Sequence, residues 1–70
     1  MLNLDKLIED FRDALFKAQA SGLGKKAPTL QSVTHAIEIL TERYGRYRDQ
    51  TTTTATALIV ARRLKKALEG

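Results

Sequence analysis

The densest chemistry in the chain is Glu42-Arg43-Tyr44-Gly45-Arg46-Tyr47-Arg48-Asp49, where arginines alternate with tyrosines. Guanidinium forks grip phosphates and carboxylates, while aromatic rings stack on bases or fill apolar pockets. The same composition marks the anchors of protein interfaces. Read as packing alone, Tyr44 and Tyr47 continue a helical seam with their hydroxyls at its rim, and Glu42 pairs with Arg46 across one turn. A second cluster, Arg62, Arg63, Lys65 and Lys66, either neutralises phosphates or offsets the negative end of a helix dipole. Lys25 and Lys26 add two cations on a glycine-bearing connection.

Residues for catalysis are sparse. Cysteine is absent, which excludes thiol nucleophiles, disulfides and zinc ribbons. The lone histidine, His35, stands one helical turn from Ile39 and reads as a surface or interface residue. Glu38 and Glu42 are one turn apart, a spacing that could share a proton or a metal but on a charged helix is ordinarily just solvated. A chain of 70 residues has little volume for an internal pocket of the usual size, about 300 Å³ or more. No catalytic, cofactor or metal site is expected, and no small-molecule substrate.

These residues must be positioned by one small domain, residues 1–70. Its core supplies about 3–5 kcal/mol unless self-association adds to it. Hydrophobic content of 43% and charged content of 29% suit a folded chain rather than a disordered one. The longest apolar run, Ala57 to Ala61, is far short of the roughly 20 residues that cross a bilayer. With no leader-like start either, a cytoplasmic protein is expected, with no membrane partner. The net charge of +4 is uneven: residues 1–20 carry four acids against three bases, and residues 51–70 one against four. That imbalance favours anionic partners at low salt.

Hydrophobic spacing predicts an all-α fold, a small antiparallel three-helix bundle with helices near 3–21, 29–48 and 52–69. Dimerisation offers a second way to complete its core. Leu4, Leu7, Ile8, Phe11, Ala14, Leu15 and Ala18 form the first stripe, with Asn3 as cap and Leu2 and Leu7 as a hydrophobic staple. Gly22 followed by Leu23 suits a Schellman ending. Beyond Pro28, Thr29 is a cap, and Leu30, Val33, Ile37, Leu40, Tyr44 and Tyr47 keep seam spacing, with Gly45 as a weak point inside it. Asp49 or one of Thr51–Thr54 caps the third helix, whose stripe is Ala57, Val60, Ala61, Leu64 and Leu68. The first two helices are expected to supply most of the core, and the third to close it.

Each helix then carries one large apolar residue outside its stripe. Phe16 lies amid Glu9, Arg12 and Asp13; Ile39 among His35, Glu42, Arg43 and Arg46; Ile59 one turn before Arg62 and Arg63. Single exposed hydrophobes are normal, but three on otherwise clean faces suggest a second contact surface. The reading is a non-enzymatic protein–protein interaction module, an adaptor, inhibitor or regulatory subunit, that forms a homo-oligomer or meets a protein partner. Its contact residues are Phe16, Ile39, Tyr44, Arg46, Tyr47 and Ile59. The alternative is a small basic nucleic-acid-binding regulator using Arg43, Arg46, Arg48, Arg62, Arg63, Lys65 and Lys66.

Overall fold

The computed structural model describes residues 3–46 and 51–70, without the side chain of Arg46. It is a small all-α bundle of α1 (Leu4–Lys17), α2 (Leu30–Arg46) and α3 (Thr52–Glu69), with a 3₁₀ turn at Ser21–Gly24 and no strand among the described residues. The staple partner Leu2 and the seam residue Tyr47 lie outside the described residues, as does Asp49.

The capping residues act as their types dictate. Asn3 Oδ1 accepts the Lys6 N–H at 3.2 Å, satisfying a donor that helix geometry leaves orphaned. Thr29 and Ser32 form a reciprocal capping box: Thr29 Oγ1 accepts the Ser32 N–H at 3.1 Å, and Ser32 Oγ accepts the Thr29 N–H at 3.0 Å. Thr51 Oγ1 accepts the Thr54 N–H at 3.3 Å and donates to Thr54 Oγ1 at 3.0 Å, so the buried Thr54 hydroxyl is partnered. The threonine run is thus the cap and first turn of α3. Gly45 does not stop α2, which continues through it to Arg46.

Helix α1 ends earlier than its apolar stripe suggests. Ala20 N–H donates to Leu15 O at 2.8 Å and Gln19 N–H to Phe16 O at 3.1 Å, the paired bonds of a Schellman motif. Gln19 takes the left-handed position, φ 58°, and not Gly22. Ala20 and Leu15, both buried, supply the apolar positions that accompany the motif. The glycine that matters is Gly24, whose backbone lies so close to α1 that an added Cβ would sit 3.1 Å from Leu15 Cδ1 and 3.5 Å from Arg12 Cγ.

The connection after α1 therefore runs back along it. Pro28 shares a shallow recess with Asp5, Ile8, Glu9 and Arg12, so α2 starts beside the first half of α1. It finishes beside the other end, where Arg43 Nη1 donates to Ala18 O at 2.9 Å. Helices α1 and α2 consequently run in the same sense. The five steps from Arg46 to Thr51 reach at most about 18 Å, short of the roughly 25 Å needed to return to the start of α2, so α3 runs back against it. Both packed pairs, α1 with α3 and α2 with α3, are antiparallel.

Helix α3 is the centre of this arrangement and not its lid. It packs against both other helices, whereas among the described residues α1 and α2 have no Cα pair within 8 Å; the 3₁₀ turn contacts both. Two neighbours widen the buried arc of α3. Leu58 joins Thr54, Ala57, Val60, Ala61 and Leu64 in the interior, while Leu68 is only half-buried. The small Ala57 and Ala61, both fully buried, permit that close approach. On α2 the interior residues are Val33, Ala36 and Leu40, with Ile37 and Tyr44 half-buried against them. Leu4 and Leu30, each at the first turn of its helix, are exposed.

Candidate interaction surface

Side chains spaced three or four residues apart share a helix face, so the two sides of α1 and of α3 can be compared directly. On α1, Leu7, Phe11, Ala14 and Leu15 are buried, and Phe16 stands about 155° around the helix from their mean direction, 73% exposed. Around it on the outer face lie Asp5, Glu9, Arg12 and Asp13, all exposed. Lys17 pairs with Asp13 at 3.2 Å and Lys6 with Asp10 at 3.2 Å, both at the flank. The Lys6 ammonium is held above its ordinary value by its hydrogen bond and charge pairing with Asp10, with Glu9 and Asp13 adding to the effect.

Helix α3 carries the opposite sign. Ile59 is 56% exposed and lies about 180° from the mean direction of the buried Thr54, Ala57, Leu58, Val60, Ala61 and Leu64. Its neighbours at one and two turns are Arg62, Arg63 and Lys66, all exposed and none in an ion pair among the described residues. Lys65 sits closer to the interior and pairs with Glu69 at 3.7 Å. Each outer face therefore has one large hydrophobe among charges of unequal sign, net acidic on α1, where Asp5, Glu9 and Asp13 outnumber Arg12 and Asp13 is paired with Lys17, and basic on α3.

The remaining sequence candidates fall elsewhere. Ile39 is half-buried, not projecting freely, because it lies close to the edge of the buried Ala36 side of α2. Tyr44 is half-buried against the core. Arg43 is part-buried and its guanidinium is engaged by Ala18 O, which gives it a structural partner at the C-terminus of α1. The side chain of Arg46, and all of Tyr47 and Arg48, lie outside the described residues. The structure thus separates the proposed contact residues: Phe16 and Ile59 occupy two outward faces, while Ile39 and Tyr44 stay with α2.

Spacing alone places Phe16 amid Glu9, Arg12 and Asp13; the net acidic balance of that face appears once Asp5, further along it, is counted as well. An open recess of about 1120 Å³ borders the start of α2, with Leu23, Lys26, Leu30, His35 and Glu38 on its walls. It is a surface depression and not an interior pocket. Among the described residues no group of three or more His, Asp or Glu side chains is placed to hold a metal ion, and no helix is long and apolar enough to cross a membrane. Compared with protein-family models, curated proteins and solved structures, the chain finds no significant match.

Proposed function

We propose that the chain is a non-enzymatic protein–protein interaction module of the cytoplasm, an adaptor, inhibitor or regulatory subunit, that associates with copies of itself. The observation that supports this reading most is the exposure of Phe16 and Ile59 at the middle of otherwise polar outer faces, while the interior is already filled by other side chains. Removing such side chains from water contributes up to about 2 kcal/mol each. For a domain this small, that is a large share of its stability. Burying two side chains, up to about 4 kcal/mol, only matches the low end of the cost of immobilising a partner, so the association is weak and is sought at protein concentrations up to about 1 mM.

A second reading, a nucleic-acid-binding regulator, is supported by the three exposed cations Arg62, Arg63 and Lys66 on one face of α3. Phosphate neutralisation by these residues would show as an affinity that falls steeply with salt.

A dilution series followed by amide NMR tests the first reading. Concentration-dependent shifts around Phe16 and Ile59 are expected. A spectrum independent of concentration would overturn it. If shifts arise only on adding a duplex oligonucleotide, centre on Arg62 and Arg63, and vanish in salt, the second reading replaces it.

A further inference from the structure

The two outward hydrophobes cannot meet one flat partner. Phe16 stands opposite the line by which α1 packs on α3, and Ile59 opposite the line by which α3 packs on its neighbours. Their faces point away from each other. A two-fold dimer made through the α3 face would crowd Arg62, Arg63 and Lys66 of both copies together, while one made through the α1 face would gather a net negative charge, since Asp5, Glu9 and Asp13 there outnumber Arg12. The complementary match is between the faces, acidic α1 to basic α3.

From this charge complementarity we propose that copies of this chain associate head to tail, the α1 face around Phe16 of one copy seated on the α3 face around Ile59 of the next. This inference rests on self-association as the function, and adds its geometry. In the contact, Phe16 and Ile59 supply the dehydrated centre, and Glu9, with Asp13 exchanging its Lys17 partner, faces Arg62, Arg63 and Lys66 at the rim. Such a contact uses different surfaces on the two copies, so each copy keeps one free face and growth continues into a ring or a filament. The rim pairs steer association and set its register more than its strength. They are exposed, so salt screens them.

The test mixes two single-face variants. Phe16→Ser removes the α1 centre and leaves the α3 face intact; Ile59→Ser does the reverse. Both sites are exposed, so unchanged far-UV circular dichroism and thermal midpoint should verify the fold. In sedimentation velocity the wild type should exceed a dimer as concentration rises, and each variant alone should remain a monomer. Their equimolar mixture should form a heterodimer and stop there, since one free face on each copy is disabled. Charge reversal gives a second readout: Glu9→Lys with Asp13→Lys, and Arg62→Glu with Arg63→Glu, should each weaken association and restore it when mixed. A wild type that stops at a dimer, with no heterodimer on mixing, would overturn the head-to-tail arrangement while leaving self-association standing. A wild type that is monomeric throughout would overturn both.

Discussion

Arg43 and Ala18 join the last turns of two helices whose backbones do not otherwise approach. The guanidinium Nη1–H donates to the Ala18 carbonyl oxygen at 2.9 Å, from a part-buried position. That carbonyl is one of the acceptors the end of α1 leaves without an intrahelical partner. The bond therefore ties the end of α2 to the end of α1. Arg43→Met keeps most of the apolar stem and deletes the donor. We expect a loss of about 1–2 kcal/mol, read as a lower urea midpoint with an unchanged denaturant slope.

Gln19 holds a left-handed conformation at φ 58°, where a side chain is strained and glycine is not. Gln19→Gly should stabilise the fold by about 0.5–1 kcal/mol, the relieved strain exceeding the extra chain entropy that glycine brings. A thermal midpoint that falls would contradict the Schellman assignment.

Two glycines with opposite surroundings give a paired prediction. Gly45 is exposed inside α2 with open space where a Cβ would stand, so Gly45→Ala should add up to about 1 kcal/mol through helix propensity. Gly24→Ala would press a methyl to 3.1 Å from Leu15 Cδ1, and Leu15 is fully buried and cannot yield easily. A loss of about 1 kcal/mol or more is expected there. Equilibrium denaturation of the two variants side by side checks both signs.

The central place of α3 predicts how the bundle responds to core enlargement. Ala57 and Ala61 are fully buried where α3 meets its neighbours. Ala61→Leu should cost about 1–3 kcal/mol through overpacking. An equivalent insertion at the half-buried Ala67 should cost far less. Thermal unfolding of both variants side by side checks the difference.

Much of this architecture was legible in the residues because helical stripes report burial directly. Leu7, Phe11, Ala14 and Leu15 on α1, and Val33 and Leu40 on α2, are interior as their spacing implies. The ends were less legible. A rule that favours glycine at a helix stop pointed to Gly22, whereas backbone geometry selects Gln19, because Ala20 and Leu15 make the closing apolar pair five residues apart. The role of α3 was hidden by its small residues: alanine and threonine look like weak core, yet smallness is what lets a helix sit between two others. The burial of Leu58 beside Val60 was the available sign, since an apolar arc wider than one stripe implies two neighbours. At the surface, Phe16 and Ile59 were identifiable from phase alone, but Ile39 was not, because burial beside Ala36 depends on neighbours that no single helix encodes.

The most direct test of the account is the weight-average mass of the wild type and of the Phe16→Ser/Ile59→Ser double variant, measured by sedimentation equilibrium at low salt up to about 1 mM protein. The wild type should rise above the monomer mass with concentration, and the double variant should hold at the monomer mass throughout with its helical content intact. A wild type that stays monomeric, or a double variant that gains mass in parallel with it, would contradict the claim that these two side chains form the contact surfaces.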